Sequence, residues 1–290
     1  MQGRVESREN ASPVAEYCGR IAPTPSGYLH LGHARTFWVA QHRAQRKSGR
    51  MILRIEDLDP NRSQSKFIQA AEEDLAWFGI HWDEGPVYQQ DRTKRYREAL
   101  DRLIESEQVY RCYCSRKDIR DAVQAPHAGD EGPIYPGTCR GNVGEEREPM
   151  GTRRPCWRFC VPNDQRVGFS DGCCGYREFQ CGSSFGDFVV WRQDDVPAYQ
   201  LAVVVDDHEM GVTEVVRGQD LLLSTARQIL LYRSLGWQVP QFFHCPLLTD
   251  ESGLRLSKRS ESLSLRDYRA KGCSPEAIRA DLDWSGMLDD

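Results

Sequence analysis

Two short segments of this chain carry side chains suited to holding a polyphosphate. In the first, the proline- and glycine-rich residues 23–27 lead into His30-Leu31-Gly32-His33, after which the sequence becomes helical. Two imidazoles three residues apart can donate hydrogen bonds to phosphate, and a glycine between them at a helix start lets an anion approach closely. A zinc site made from the two histidines is a competing interpretation, but no third ligand lies nearby.

The second segment is Arg255-Leu256-Ser257-Lys258-Arg259, which follows Gly253. A lysine on a mobile loop can reach a polyphosphate and neutralise charge that develops in its transition state. Each segment alone is a weak signal. Their occurrence together, about 230 residues apart in one chain, indicates nucleotide chemistry.

Three cysteines have a spacing that indicates metal binding: Cys112 and Cys114, then Cys139. Three thiols in a loop-rich stretch are typical of a structural zinc site. Chemistry alone leaves the fourth ligand open and favours His127 on general grounds, and the alternative is a small module in which reduced cysteines are simply buried. The remaining middle cysteines lie outside the pattern. We interpret them as packing residues: Cys156, Cys160, Cys173, Cys174 and Cys181.

Composition bounds the class of protein without identifying a partner. The chain has 290 residues, a formal net charge of −5 and a hydrophobic fraction of 39%, which is ample for a core. Because this charge gives no global sign of nucleic-acid binding, an RNA would have to be held by a local basic patch. Basic clusters at residues 43–50, 92–97, 153–154 and 255–259 are more often solvated faces than binding sites.

The compartment follows from the cysteines and the first residues. Eleven cysteines, an odd number, without an export signal argue against a disulfide framework. The first seventeen residues carry few apolar groups and both signs of charge, and the longest apolar run, residues 201–205, has only the length of a strand. We therefore expect a cytoplasmic monomer with no membrane segment.

The first half of the chain shows a β–α–β pattern. A helix is predicted from just after His33 to Gly49, and a strand at residues 51–55 follows it. Two amphipathic helices come next, with apolar faces within residues 67–78 and 96–104. This pattern is typical of the opening of a parallel α/β sheet.

The second half returns to alternating elements. Strands are predicted at residues 185–191 and 212–216, and residues 201–205 are interpreted as a buried parallel strand. A helix should end at Gly236. Ser274 and the proline after it predict the start of a last helix.

Both phosphate-binding segments occur, in this order, in the class I aminoacyl-tRNA synthetases. His30-Leu31-Gly32-His33 resembles the first motif of that class, and residues 256–259 resemble its lysine loop. Further segments look like the glutamate branch of the class. They are residues 20–27 (RIAPTPSG), 54–57 (RIED), 199–207 (YQLAVVVDD) and 216–222 (VRGQDLL). The resemblance extends over residues 20–267 and implies a Rossmann-like catalytic domain.

The resemblance also implies which residues hold the amino acid. The glutamate-binding residues carried over are Arg20, Ala22, Thr24, Glu56, Tyr199 and Arg217. Glutamate has two carboxylates and one ammonium group, and the two arginines and one acid match these charges in sign. Outside the family context, Glu56 would be interpreted as a surface acid at a strand end and Arg217 as a salt-bridged structural arginine.

ATP and metal roles follow in the same way. His30 and His33 would contact the ATP phosphates, and Lys258 would act on the transition state of adenylate formation, without a covalent enzyme intermediate. Magnesium is expected with the ATP, although no sequence feature specifies its ligands. Small glutamyl synthetase paralogues use a Cys-x-Cys, Tyr and Cys set for one structural zinc. This places Tyr135 as the fourth ligand and keeps His127 in reserve; the set is Cys112, Cys114, Tyr135 and Cys139.

Within the class, the chain resembles the glutamyl-queuosine tRNA(Asp) synthetases. About 30 residues follow Lys258, which we expect to be too few for an anticodon-binding domain. The resemblance implies activation of L-glutamate to glutamyl-adenylate with ATP, independent of tRNA. The glutamate would then pass to the queuosine base at the wobble position of tRNA(Asp), whose cis-diol is chemically similar to a terminal ribose.

The predicted fold is α/β, a Rossmann-like class I catalytic domain with a zinc-stapled insert and a short helical C-terminus. The predicted units are a flexible N-terminus (1–17), a first catalytic half (18–110), the insert (111–184), a second catalytic half (185–245) and the lysine loop with a short helical end (246–290). Two functional alternatives remain. One is a truncated glutamyl-tRNA synthetase that charges a tRNA 3′ end, and the other is a non-catalytic RNA-binding protein on a synthetase scaffold. A small-molecule nucleotidyltransferase is more remote.

Overall fold

The first half of the fold is a parallel sheet with helical crossovers. The computed structural model describes residues 16–115, 117–119, 134–142, 154–249 and 263–288. Strands β1 (Cys18–Ile21), β2 (Arg50–Ile55) and β3 (Glu84–Tyr88) are parallel in the order β1-β2-β3. Helices α1 (Leu31–Arg46) and α2 (Ser65–Phe78) connect them. The predicted β–α–β opening and the helix at residues 67–78 are confirmed.

The second half adds parallel strands on the other side of β1. Numbered along the chain, β9 (Glu214–Gly218) pairs with β10 (Gln241–Cys245). The amide of Thr213, just before β9, donates a 2.9 Å hydrogen bond to the carbonyl of Cys18 on β1. The spatial order β3-β2-β1-β9-β10 is that of a doubly wound sheet. Such sheets bind ligands outside the carboxyl ends of the strands where the order reverses, here between β1 and β9.

Side chains on β2 show that helices cover both faces of this sheet. Ile52 belongs to a core cluster with Leu100 of α3 (Thr93–Glu105), whereas Leu53 belongs to the cluster of α1 and α2. Successive residues of a strand point to opposite faces, so the two clusters lie on opposite sides. Helix α3 confirms the amphipathic helix predicted around residues 96–104.

The stretch between the two halves contributes strands to two sheets. Strands β4 (Val109–Cys112), β5 (Cys156–Phe159) and β8 (Phe188–Trp191) form an antiparallel sheet. The hairpin of β6 (Arg166–Asp171) and β7 (Gly175–Gln180) instead joins the β9–β10 sheet, where Asp171 pairs with Phe242 of β10. The end of β6 therefore lies beside the parallel sheet.

One predicted strand is wrong. Residues 201–205 belong to helix α4 (Tyr199–Glu209), in which every residue from Leu201 to Asp207 is buried. A helix that is buried on all sides has no polar face, so its sequence lacks helical periodicity and resembles a buried strand. Asp206 and Asp207, which follow the predicted strand in sequence, also lie within this helix.

The remaining helices agree with their predicted ends. Helix α5 (Leu222–Leu235) stops at Gly236, which is in the left-handed conformation with φ of 70°. The C-terminal helices are α6 (Leu265–Ala270) and α7 (Pro275–Asp281), and the hydroxyl of Ser274 caps α7 as predicted. Among the described residues, none of the helices is both long and apolar enough to cross a membrane.

Candidate active site

A cavity of about 520 Å³ opens at the carboxyl ends of the parallel strands, at the point where the strand order reverses. Its wall contains residues that directly follow β1, β2, β9 and β10, together with the N-terminus of α1. The structure brings eight predicted site residues to this one cavity. They are Arg20, Ala22, Thr24, His30, His33, Glu56, Tyr199 and Arg217.

His30 and His33 form a stacked pair at the start of α1. Their ring centroids are 3.8 Å apart. The Nδ1 of His30 accepts a hydrogen bond from the amide of Gly32 (3.1 Å), and the Nδ1 of His33 accepts from the amide of His30 (3.3 Å). Because an imidazole nitrogen that accepts carries no proton, both rings carry their proton on Nε2. Both histidines therefore have the tautomer whose Nε2–H can donate to an anion.

His33 is neutral, and a neutral imidazole can still donate a hydrogen bond to an anion. His33 is an exposed residue that lines the cavity. Desolvation by the cavity walls, reinforced by the adjacent His30, lowers the pKa of His33. The ring is therefore neutral at pH 7 and acts as a dipolar donor beside the positive end of the α1 dipole.

Gly32 is required by the packing of His30. A methyl group at Gly32 would lie 2.9 Å from Cε1 of the His30 ring, closer than side-chain carbons normally approach. The glycine between the two histidines thus lets the His30 ring fold back over the first turn of α1, where its Nδ1 caps the helix.

The lysine-loop segment begins and ends at this cavity. Leu248 lines the cavity, and Ser264 forms a β-bridge with His30. The amide of Leu265 donates a 2.8 Å hydrogen bond to the carbonyl of Leu29, which anchors the start of α6 beside α1. Lys258 lies outside the described residues, as does the rest of the segment 250–262.

Arg20 lies at the floor of the cavity and is 4% exposed. Its Nη1 donates to the carbonyl of Val216 on β9 (2.8 Å), and its Nε is 3.6 Å from a carboxylate oxygen of Asp207. Burial lowers the pKa of Arg20, while Asp207 opposes this shift. The ion pair thus compensates part of the cost of placing a guanidinium in the wall.

Glu56 follows β2 and receives a hydrogen bond from Arg54, whose Nη2 is 3.2 Å from Oε1. The Glu56 side chain is 9% exposed, and that of Arg54 is fully buried. Burial raises the pKa of Glu56, an effect that the positive charges of Arg54 and Arg20 partly offset. A cation entering the cavity would supply the compensation that Glu56 lacks.

Arg217 lies opposite, near the end of β9, and its guanidinium is held from several directions. Nε contacts Nε2 of His244 (3.2 Å), Nη2 donates to Oγ1 of Thr225 (2.6 Å), and Nη1 reaches the hydroxyl of Tyr199 (3.4 Å). His244 is in turn paired with Asp171, 2.5 Å from Nδ1 to Oδ2. The cavity therefore presents two fixed arginines and one acid.

Several residues behind the cavity were not predicted as site residues. Arg54 and Asp207 were noted only as parts of two motifs, residues 54–57 and 199–207. Asp171 and His244 received no role, because their contact joins positions that are far apart in sequence. Two sequence signals could have found Arg54 and His244: a charged residue inside the apolar run of β2, and a histidine within the apolar stretch of β10.

In two of the four basic clusters, residues 43–50 and 92–97, cations form ion pairs with acids of this chain. Each of these two clusters contributes three cations that pair with acids on other elements of the fold. The pairs are Arg43–Glu214, Lys47–Glu214, Arg50–Glu84, Arg92–Asp206, Arg95–Glu209 and Arg97–Asp195. Arg153 and residues 255–259 lie outside the described part of the chain.

A second constellation lies at the end of β4, away from the cavity. The sulfur atoms of Cys112, Cys114 and Cys139 all lie within 4.8 Å of one another. Those of Cys114 and Cys139 are 3.6 Å apart, and the hydroxyl of Tyr135 is 3.4 Å from Cys112 and 3.6 Å from Cys114. A tetrahedral zinc ion with Zn–S bonds of about 2.3 Å needs ligand separations of roughly 3.4–3.8 Å. The three separations from Tyr135 to Cys112, Tyr135 to Cys114 and Cys114 to Cys139 fall within that range.

The surroundings of this cluster favour a thiolate at Cys112. Hydrogen bonding from Cys156, with help from Tyr135 and Arg158, lowers the pKa of Cys112 to about 4. Arg158 is 8% exposed, and its guanidinium lies 4.0 Å from the centre of the Tyr135 ring. Cys156 is buried within the same apolar cluster, as a packing residue should be, but it also contacts Cys112. His127 lies outside the described residues.

The doubly wound sheet, the histidine pair at the start of α1 and the charged cavity define a class I synthetase catalytic domain. In agreement, the family described as tRNA synthetases class I (E and Q), catalytic domain, matches residues 18–289. The chain belongs to this family of aminoacyl-tRNA ligases.

Individual relatives point to the glutamate branch. A Symbiobacterium thermophilum protein named glutamyl-Q tRNA(Asp) synthetase is 49% identical, over 94% of this chain and 87% of the relative. A protein of the same name from Nitratidesulfovibrio vulgaris is 44% identical, with 94% and 87% covered. Glutamate–tRNA ligase 2 of Halorhodospira halophila is 43% identical over 89% of this chain, but only 54% of that ligase is covered.

The fold comparison agrees. The crystal structure of a glutamate tRNA ligase from Elizabethkingia meningosepticum, in complex with its amino acid, superposes with a TM-score of 0.69 at 26% sequence identity. The match covers 89% of this chain and 53% of that structure, so the chain spans about half of the solved ligase.

Proposed function

We propose that this protein activates L-glutamate with ATP to form glutamyl-adenylate. The observation that carries the proposal is the charge pattern of one cavity: Arg20 and Arg217 face a ligand that Glu56 also reaches, beside the paired imidazoles of His30 and His33. Glutamate has two carboxylates for the arginines and an ammonium group for Glu56. The names of relatives in the glutamate branch support the same substrate.

The positions of the cavity residues indicate the role of each in adenylate formation. Glu56 and the arginines orient glutamate so that one carboxylate oxygen can attack the α-phosphorus of ATP, and pyrophosphate leaves. His30 and His33 donate from Nε2 to the phosphates at the α1 N-terminus. Ala22 and Thr24 form the adjacent wall, and the hydroxyl of Tyr199 lies beside Arg217. Magnesium that enters with ATP would neutralise phosphate charge.

Lys258 completes the proposed site. It lies six positions before Ser264, which pairs with His30, and six residues span at most about 20 Å. The lysine is therefore within reach of phosphates held by the histidines. At the second constellation, Cys112, Cys114, Tyr135 and Cys139 would hold one structural zinc ion, with Arg158 offsetting the negative charge of the thiolates.

The proposed acceptor is the queuosine base at the wobble position of tRNA(Asp). One observation supports it: two relatives that are matched over 87% of their length carry the name glutamyl-Q tRNA(Asp) synthetase. The bases of an anticodon loop can be splayed out and reached by a protein pocket. A cis-diol on the modified base offers the same nucleophile as a terminal ribose.

Glutamate-dependent ATP–pyrophosphate exchange tests the activation step. The protein should catalyse exchange with glutamate in the absence of tRNA, and far more slowly with glutamine or aspartate. Absence of exchange from zinc-replete, folded protein would contradict the proposed activation step and favour the non-catalytic alternative.

The acceptor is tested by mapping. Radiolabelled glutamate transferred to queuosine-containing tRNA(Asp) should appear in the anticodon fragment after ribonuclease digestion. Unmodified tRNA(Asp) transcript is the matched control and should stay unlabelled. Label at the 3′-terminal adenosine would instead establish the truncated glutamyl-tRNA synthetase.

A further inference from the structure

A buried hydrogen-bonded chain connects Arg217 to the β6–β7 hairpin. It runs from Arg217 Nε to His244 Nε2 (3.2 Å), and from His244 Nδ1 to Oδ2 of Asp171 (2.5 Å). The hydroxyl of Thr225 also contacts His244 Nε2, at 2.9 Å. His244 is 0% exposed and Asp171 6%. Asp171 comes from β6, His244 from β10 and Arg217 from β9, so three strands meet in this chain.

The chemistry of the donors fixes the direction of the chain. A guanidinium Nε–H can only donate, so Nε2 of His244 must accept and carries no proton. The ring proton therefore lies on Nδ1 and is donated to Asp171, a carboxylate that can only accept. Burial lowers the pKa of His244, although Asp171 opposes this shift, which agrees with a neutral ring.

The far end of the chain is held by backbone amides. Oδ1 of Asp171 accepts from the amides of Cys174 (2.8 Å), Cys173 (3.0 Å) and His244 (3.2 Å). These bonds fix the rotamer of the carboxylate, which then fixes the imidazole plane. Burial raises the pKa of Asp171, but the hydrogen bonds from His244 and Cys174 outweigh it and lower the pKa.

We infer that Asp171 and His244 are positioning residues that hold the Arg217 guanidinium in its glutamate-binding orientation. The inference rests on the proposed function, because it assigns the role of Arg217 to glutamate. Arg217 has five N–H groups, and the contacts with His244, Thr225 and Tyr199 involve one group each. In the orientation that satisfies these contacts, the remaining N–H groups of Arg217 are available to a ligand in the cavity that Arg217 lines.

Asp171→Asn tests the direction of the chain with almost no change in shape. The amide oxygen can still accept from the backbone, but the amide nitrogen would face Nδ1 and donate to it. The ring proton would then move to Nε2, where it can be donated to Oγ1 of Thr225 but opposes the Nε–H of Arg217. The contact that holds Nε of Arg217 would therefore be lost. We expect the KM for glutamate in pyrophosphate exchange to rise about 10- to 100-fold, and the KM for ATP to stay within about twofold.

Two substitutions of His244 give an independent measurement. His244→Gln can still accept from Arg217 and donate to Asp171, so it should retain a KM for glutamate within about fivefold of wild type. His244→Leu should resemble Asp171→Asn. In the Asp171→Asn/His244→Leu double variant the two effects should not add, because both break the same chain.

Glu214→Gln is the matched control. Glu214 is a buried carboxylate (3% exposed) on β9 that holds Arg43 and Tyr17 instead of Arg217. Its loss should lower the melting temperature without changing the KM for glutamate. If folded Asp171→Asn, or His244→Leu where the former does not fold, keeps a wild-type KM for glutamate, the inference is wrong. If wild-type protein shows no glutamate-dependent exchange, the proposed function fails instead.

Discussion

Arg54 and Asp207 form a buried ion pair directly behind the cavity, with 2.6 Å between Nη1 and Oδ1. The Arg54 side chain is fully buried and that of Asp207 is 1% exposed. Arg54 also contacts Glu56 at 3.2 Å and lies 3.8 Å from Asp206. Helix α4 and strand β2 are thus connected by charges that also orient the acid of the proposed substrate site.

Replacement of Arg54 should therefore affect stability and substrate binding together. Arg54→Met leaves Asp206 and Asp207 buried without their common partner, which should cost about 3–5 kcal/mol of unfolding free energy. Arg54→Lys should also be costly, because an ammonium group cannot bridge several carboxylates as a planar guanidinium does. Urea unfolding at equilibrium measures both variants.

Arg50→Gln is the control for the Arg54 series. Arg50 pairs with Glu84 at the surface, where the two side chains are 35% and 54% exposed. Such a pair contributes roughly 0–1 kcal/mol. Equal losses in Arg50→Gln and Arg54→Met would mean that burial of the Arg54 cluster has no special energetic weight.

Gly32→Ala should separate helix stability from ATP binding. Alanine in a helix is more stable than glycine by about 0.5–1 kcal/mol, but the added methyl group would lie 2.9 Å from the His30 ring. The ring must move away from the α1 N-terminus, so the KM for ATP should rise about tenfold while the melting temperature is maintained. Gly141→Ala, at a site with open space around the added carbon, should change neither quantity. An unchanged KM for ATP in Gly32→Ala would refute a phosphate role for His30.

The elements predicted well from sequence are those whose signals are local. The apolar face at residues 67–78 was recognised from its helical periodicity. The end of α5 was recognised from Gly236, which takes the left-handed conformation. Both signals occupy a short stretch of sequence. Helix α4 has no such signal, because its residues 201–207 are buried on every side. The secondary structure of this segment depends on how it is buried in the folded protein, which a short stretch of sequence does not reveal.

The candidate site divides in the same way. His30, Glu56 and Arg217 lie in segments whose resemblance to a known family places them, and the structure brings them to one cavity. The residues that hold them in place were missed. Asp171 and His244 meet only because the β6–β7 hairpin joins the edge of β10, a pairing between strands that are distant in sequence.

Glu56→Gln should impair glutamate activation and increase the stability of the protein at neutral pH. Burial raises the pKa of Glu56 above its unfolded value. The stability that this residue contributes is therefore fully present below the unfolded pKa and is lost as pH rises through the folded pKa. Glutamine does not ionise, so the melting temperature of the variant relative to wild type should increase from pH 4 to pH 8.

Glutamate activation should respond in the opposite direction. Without a charged partner for the ammonium group, the KM for glutamate in pyrophosphate exchange should rise about 10- to 100-fold at pH 7.5. Thermal melts across pH and exchange kinetics on the same preparation measure the two effects. A variant that is less stable than wild type at pH 8, but binds glutamate normally, would assign Glu56 to the structure and not to the substrate.

Metal content tests the second constellation. Cys112→Ser should reduce bound zinc from about one ion per chain to none and destabilise the antiparallel sheet in which Cys112 pairs with Cys156 at the end of β4. Tyr135→Phe keeps the ring beneath Arg158 but removes the oxygen, and should weaken zinc binding at least about tenfold in chelator competition. Cys160→Ser changes a thiol that is not part of the three-cysteine group and should keep its zinc. Full zinc occupancy in Tyr135→Phe with unchanged affinity would exclude the phenol as a ligand.

Lys258→Ala tests whether Lys258, which lies outside the described residues, stabilises the transition state of adenylate formation. The described residues on either side of the segment that carries Lys258 lie close to the cavity: Leu248 lines it, and Ser264 pairs with His30. If the lysine neutralises charge that develops during adenylate formation, its loss should lower kcat for pyrophosphate exchange about 10²–10³-fold. Because such charge is greatest in the transition state, the KM for glutamate should stay within about threefold of wild type. Lys271→Ala, at the exposed end of α6, should leave kcat unchanged. A Lys258→Ala variant with a normal melting temperature and normal kcat would show that the electrostatic contribution comes from another residue.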